Sequence, residues 1–308
     1  MGSNEPLVYL SGELLPASEA HLEIFDAGIV MGATVTDLIR TFKKQPYRLE
    51  DHASRFYRSC KYAQIMPLIS TEETMKISRR LIEHNGGLIG EGEELALVYF
   101  ITPGLFTVYA GGAAGQKKNS PTFCMHTFRL PFEIWRAYFT DGVHVVTPSI
   151  RHIPPQCTDP KMKCRSRMHW WLASKESELV DPRAIPLVLD LDGNVTETSG
   201  SNFLIAKDGT VISPSPRNIL PGISLQTIRE LCGEIDIPFV ERDFQVHDVI
   251  NADEAFLPTT PYCMAPVTKI NGIQIGDGEP KGPLFRSLID RWSERVGLNI
   301  VEQIVGEA

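Results

Sequence analysis

Lys161-Met-Lys163-Cys-Arg165-Ser-Arg167-Met-His-Trp-Trp-Leu-Ala173 opens the stretch that decides how the rest of the chain reads. A hairpin pattern follows and ends in Glu197-Thr-Ser-Gly-Ser-Asn202-Phe203. A second hairpin leads to Leu220-Pro-Gly-Ile-Ser224, ahead of apolar positions Leu225, Ile228, Leu231 and Cys232. Those positions keep helical spacing, with Ser224 as the expected N-cap. A lysine, a carboxylate and a helix start thus lie in order. A lysine amine can condense with an aldehyde. A carboxylate can hold a protonated ring nitrogen, and the free N–H groups of a helix start can hold a phosphate.

On these residues the chain resembles the class IV, or fold type IV, pyridoxal-phosphate aminotransferases. That family includes branched-chain and D-amino acid aminotransferases, (R)-amine transaminases and aminodeoxychorismate lyase. Its pattern is a Schiff-base lysine, a glutamate in E-x-x-x-x-N-[hydrophobic], then L-x-G-[I/V]-[S/T] opening a helix. Lys163, Glu197 with Asn202 and Phe203, and Leu220, Gly222, Ile223 and Ser224 match it in order. The resemblance runs from about Phe25 to about Gly276 and weakens in the middle of the N-terminal half. It implies an α/β two-domain protein of the D-amino acid aminotransferase type. The implied site lies between the domains and is usually completed by a loop from a second subunit.

Composition fits a soluble globular chain: 308 residues, 43% hydrophobic, 22% charged. A net charge of −8 without a basic stripe argues against a nucleic-acid partner. No apolar run reaches the roughly 18 residues of a membrane span, and the first residues lack the basic and apolar regions of a signal peptide. The six cysteines are scattered without a C-x-x-C pair, which suits reduced thiols in a cytoplasm.

In chain order, Leu7–Leu10, Gly12–Leu15 and His21–Phe25 read as short strands, and Asp26–Gly32 as a loop. Thr34–Phe42 reads as a strand turning at Lys43–Pro46. Helices are expected from Glu50 and over Thr71–His84. Strands are expected at Leu95–Thr102 and Thr122–Phe128, flanking a glycine-rich segment. Phe132–Thr140 is the expected link between an N-terminal domain over 1–137 and a larger cofactor-binding domain over 138–308. In the second half, strands are expected at Val143–Ile150, Ile185–Leu189, Ile237–Val240 and Glu254–Leu257. Phe203–Ala206 and Val211–Ile212 form the expected hairpin across Lys207-Asp-Gly209. The helix after Lys163 is expected to bury Met168, Trp171, Leu172 and Leu179, leaving His169 and Trp170 half exposed. A helix over Pro283–Val296 closes the chain.

The resemblance assigns roles to particular residues. Arg55, in His52-x-x-Arg55, matches the family's phosphate-binding arginine, a job that suits a planar guanidinium fork. A solvated helix arginine is the plainer alternative. His52 has no second ligand at helical spacing, so no metal site is expected. Lys163 carries the cofactor and relays a proton, with Lys161 the fallback. Glu197 keeps the pyridine nitrogen protonated. Gly222, Ile223 and Ser224 meet the phosphate, Thr259 and Thr260 add contacts, and Leu220 packs on the ring.

Substrate recognition departs from the family. D-amino acid aminotransferases place an arginine in a T-R-G context where this chain has Thr102-Pro103-Gly104. The aromatic that many members carry after G-x-x-V is here Thr36. Arg165 and Arg167 are the nearest basic groups to Lys163 and are candidate carboxylate clamps. Anchoring a helix start or an interface is as good a reading of both. The expected reaction moves an amino group between an amino acid, D- favoured, and a 2-oxo acid, in a homodimer. L-branched-chain transamination and 4-amino-4-deoxychorismate lyase activity are the alternatives. An inactive binding protein on the same fold is the non-enzyme reading, opposed by intact Lys163, Glu197 and Arg55.

Overall fold

A computed structural model describes residues 4–110 and 120–306. The expected glycine-rich segment after Gly104 falls partly on 111–119, outside the described residues. The chain divides into two units, Met1–Leu130 with Met162–Ser166, and Pro131–Lys161 with Arg167–Ala308. Residues 137 and 138, where the sequence parts the domains, both lie within the helix Phe132–Thr140.

The first unit runs β1 Leu7–Leu10, β2 Glu13–Pro16, α1 Ala27–Val30, β3 Val35–Phe42, β4 Gln45–Pro46, α2 Leu49–Ala63, α3 Thr71–Gly86, β5 Leu95–Thr102, α4 Thr107–Ala110 and β6 Thr122–Arg129. Its antiparallel sheet has the order β2-β1-β6-β5-β3-β4. Every residue of β5, an interior strand of the sheet, is buried. Phe56 and Cys60 of α2 and Leu81 and Ile82 of α3 bury against Ile39, Leu97, Tyr99 and Phe123. Phe56 stacks on Phe123 at 5.4 Å. Ser70 caps α3 by accepting from the Glu73 N–H.

His21–Phe25 is not a strand. The Asp26 N–H donates to Glu23 O at 2.9 Å, which closes a turn where a strand would run extended. Asp26 then caps α1 by accepting from the Gly28 N–H at 2.7 Å. Ile24 is left 73% exposed.

The second unit runs α5 Phe132–Thr140, β7 Val143–Val146, α6 Met168–Glu178, β8 Ile185–Leu189, β9 Val195–Thr198, β10 Leu204–Lys207, β11 Thr210–Ser213, α7 Ile223–Glu234, β12 Phe239–Glu241, α8 Val246–Ile250, β13 Glu254–Thr259, β14 Cys263–Ile270, β15 Ile273–Gln274, α9 Pro283–Val296 and α10 Ile300–Val305. Its sheet has the order β12-β11-β10-β13-β14-β7-β8-β9, with β15 on β14. Ile228, Leu231 and Cys232 of α7 and Phe285, Leu288 and Trp292 of α9 are buried. The expected link Phe132–Thr140 is a regular helix that packs on α10, an element the sequence did not announce.

Helix α6 buries the opposite face to the one expected. Trp170, Ala173 and Ser177 are buried, with Trp170 and Ala173 packed on Val188 of β8. Met168 at 69%, Trp171 at 59% and Leu179 at 87% are exposed, and Leu172 with them. Small Ala173 and Ser177 let the helix approach the sheet closely, and a hydrophobicity count cannot see that choice.

Candidate functional site

In the first unit, Met162–Ser166 docks on the start of β3. The Thr36 N–H donates to the Lys163 carbonyl at 2.9 Å, and the Arg165 N–H donates to Thr34 O at 2.9 Å. The Lys163 N–H donates to Ser59 Oγ at 3.2 Å. Backbone pairing thus holds Lys163 on the edge of β3, and its amine lies close enough to bear on His52. Lys161 belongs to the other unit and is exposed, 3.9 Å from Asp159. Lys175, likewise exposed, pairs with Glu178.

Arg55 is not a solvated helix arginine. It is 3% exposed, and its Nε and Nη2 donate to Asp37 Oδ2 and Oδ1 at 2.9 and 2.8 Å. His52 Nδ1 lies 2.8 Å from the same Oδ1. Asp37 is fully buried on β3. Burial alone would raise its pKa, but Arg55 and His52 outweigh that and hold the carboxyl well below the usual range. Burial, foremost, pushes His52 down, so it stays neutral near pH 7. The sequence did not single out Asp37; an acidic residue inside an apolar strand was the available signal.

This geometry gives Arg55 a structural duty beside the expected phosphate contact. Arg55→Ala would leave Asp37 as a buried carboxylate without its main partner, an effect of about 3–5 kcal/mol. Denaturant unfolding of the cofactor-free variant should show that loss. A cost well below about 1 kcal/mol would assign Arg55 no part in holding the fold. The Asp37 contribution is present above its unfolded pKa near about 4 and is lost as pH falls below that.

Thr36 is buried, and its hydroxyl donates to Tyr99 O at 2.7 Å, which commits the proton to the sheet. Arg165 is exposed, with its guanidinium 5.1 Å over the Phe100 ring. Arg167 lies in the second unit, where its Nη1 donates to Ser199 O at 3.2 Å.

In the second unit, Glu197 sits at the end of the short strand β9 opposite Asn202. Its Oε2 accepts from Asn202 Nδ2 at 3.0 Å and from the Leu220 N–H at 3.1 Å. Asn202 Nδ2 also donates to Leu220 O at 2.9 Å. The asparagine therefore clamps the carboxylate to the turn before α7, which explains the spacing from Glu197 to Asn202. Glu197 Oε1 lies 3.5 Å from His152 Nε2, a residue that no motif singles out.

Ser224 does not cap α7. Gly222 is the N-cap, no side chain caps the helix, and Ser224 is buried one residue inside its start. A Cβ on Gly222 would fall 2.1 Å from Asn202 Oδ1, so only glycine fits beside the clamp. A twelve-residue helix whose start has no side-chain cap among the described residues suits a phosphate. With an oriented carboxylate behind the same turn, the donor set fits pyridoxal phosphate. Thr259 is buried at the end of β13, and its hydroxyl donates to Gly200 O at 2.6 Å. Thr260 lies in the turn that follows.

Comparison with known proteins matches residues 34–270 to the family model for amino-transferase class IV. The chain belongs to the class IV aminotransferases. It is on that footing a pyridoxal-phosphate-dependent transaminase on the fold type IV scaffold. D-alanine aminotransferase of Staphylococcus aureus is 27% identical over 292 residues, covering 91% of this aminotransferase and 94% of the relative. Branched-chain-amino-acid aminotransferase-like protein 1 of Arabidopsis thaliana is 27% identical over 285 residues. That match takes in 92% of this chain but 49% of the plant protein, so the chain spans about half of that relative. Among solved structures, a branched-chain amino acid aminotransferase of Escherichia coli superposes with a TM-score of 0.83. It shares 22% identity, with 96% of this chain and 95% of that one covered, and establishes the fold.

Proposed function

We propose that this aminotransferase acts on free amino acids, D-amino acids first, with a 2-oxo acid as the amino acceptor. The observation that carries the site is the Glu197–Asn202–Leu220 clamp directly ahead of the uncapped α7. Bound there, the cofactor would act as an electron sink for the substrate α-carbon. Lys163 supplies the amine that holds the aldehyde and moves a proton. Glu197 presents its carboxylate to the ring nitrogen. Gly222, Ile223 and Ser224 meet the phosphate with backbone N–H groups, helped by Thr259, Thr260 and Arg55. The Leu220 side chain packs on the ring.

Arg165, exposed over the Phe100 ring, and Arg167, which donates to Ser199 O beside the Glu197 hairpin, are the candidates for the substrate carboxylate. A carboxylate entering a dry site needs a cation or several donors. Arg165→Ala or Arg167→Ala should raise the KM for amino and oxo acids by about 10–100-fold, the range of one lost charge-assisted bond. A primary amine without a carboxylate, where accepted, should be unaffected. The decisive experiment is a panel of D- and L-amino acids with pyruvate and 2-oxoglutarate, followed by cofactor absorbance. Turnover of L-branched-chain substrates alone would replace the D-amino acid reading. Elimination without an acceptor would favour the lyase.

The exposed side of α6 and the turn after it, with Met168, Trp171, Leu172, Leu179 and Val180, is an apolar surface that fits a second copy of the chain. A homodimer should appear in sedimentation velocity, and Trp171→Glu with Leu172→Glu should shift it toward monomer. A wild-type monomer at micromolar concentration would remove the proposal. The cysteines are all free, four of them buried, which suits a cytoplasmic location.

A further inference from the structure

His152 has no place in the proposed reaction, yet it touches the residue on which that reading turns. It follows β7, in the extended segment before α6, and is 7% exposed. Its backbone N–H donates to Leu189 O at 2.9 Å. Its ring stands edge-on to Trp170, centroids 5.7 Å apart. The ring is therefore fixed in place.

Two acceptors flank that ring. Nδ1 lies 2.9 Å from Ile153 O, and Nε2 lies 3.5 Å from Glu197 Oε1. A backbone carbonyl only accepts, so Nδ1 carries a proton. In a neutral ring Nε2 would then turn its lone pair toward an ionised carboxylate. A second proton on Nε2 removes that repulsion and creates an ion pair in a poorly hydrated place. On the carboxylate itself, Oε2 accepts from both Asn202 and Leu220, which fills it. Oε1 has His152 on one side and one lone pair left.

We propose that His152 is a positioning residue for Glu197. Held as an imidazolium between the Ile153 carbonyl and the Glu197 carboxylate, it fixes the carboxylate plane and leaves one lone pair on Oε1 for a pyridinium N–H. The use of that lone pair rests on Glu197 facing the cofactor ring; the charge on His152 does not.

The surroundings agree. Facing His152 are Glu197 from β9, Asp190 from the turn after β8, and His169 from α6, whose ring centroid is 6.3 Å away. Arg167 lies at the start of α6 and acts on His169. Burial pushes His152 down, but the Glu197 carboxylate, the Ile153 carbonyl and Asp190 together outweigh it and lift the ring above its ordinary value. Burial, then His152 and Arg167, lower His169 to about 4. The two rings of the pair are thus pushed in opposite directions.

The test begins on the cofactor-free full chain with ¹⁵N-labelled histidine, the His152 signals being assigned by their loss in His152→Gln. At neutral pH both ring nitrogens of His152 should show imidazolium shifts in the wild type. In Glu197→Gln the ring should become neutral, its titration midpoint falling by at least about one pH unit. A neutral wild-type His152, or an imidazolium that survives Glu197→Gln, overturns the proposal. In the holoenzyme, His152→Gln should move the pH midpoint of the cofactor absorbance upward, because a neighbouring cation is gone. An unmoved midpoint overturns the link to the ring. If the ¹⁵N results hold but Glu197→Gln leaves the cofactor spectrum unchanged at every pH, the cofactor role of Glu197 fails and His152 remains its counter-ion. Should His152→Gln not fold, the wild type and Glu197→Gln still decide the charge.

Discussion

Lys163→Ala should abolish transamination, lowering kcat/KM by about 10⁴-fold or more, since one change removes both the proposed anchoring amine and the proposed proton relay. The fold should survive. The segment is tied to β3 through its backbone, by the Thr36 N–H to the Lys163 carbonyl and the Arg165 N–H to Thr34 O. Neither bond needs the lysine side chain. Borohydride reduction followed by peptide mass mapping gives the check. Wild type should carry the cofactor's mass on the peptide containing Lys163, and the variant should carry none. A tag retained in Lys163→Ala would move the assignment to Lys161, against that residue's exposure and its pairing with Asp159.

Glu197→Gln should keep the cofactor yet slow α-proton removal by on the order of 10²-fold or more, because a neutral pyridine withdraws electrons poorly. The amide oxygen can still accept from Asn202 Nδ2 and the Leu220 N–H, so the turn before α7 should hold its shape. The loss should appear in kcat, with cofactor affinity nearly unchanged. Single-turnover kinetics with an α-deuterated substrate separates proton removal from release. Wild-type turnover in this variant would strip Glu197 of its role.

Several of these features were legible in the sequence because they are local. The order of Lys163, Glu197 and Leu220-Pro-Gly-Ile-Ser224 pointed to the family before any coordinate. β5 announced itself as an unbroken apolar run, and the hairpin across Asp208-Gly209 followed from turn chemistry. What failed to show depends on tertiary partners. Asp37, His52 and Arg55 form one buried group only because β3 meets α2. His152 acquires meaning only when the chain before α6 folds back beside β9. Helix α6 misled because its apolar residues outnumber those on the face that meets the sheet. Ser224 misled because serine is a common N-cap, whereas here Gly222 takes the cap position and Ser224 is buried inside the helix.

The pairing of Met162–Ser166 with β3 has a consequence for anyone recombining such enzymes. Five residues of first-unit structure, the lysine among them, are encoded beyond the junction at Leu130. A chimera joined at that junction would pass the lysine's segment to a foreign host sheet and leave the native β3 facing a stranger's sequence. Exchanges that preserve function should instead treat residues 34–36 and 162–166 as one inherited block, although more than a hundred positions of chain separate them.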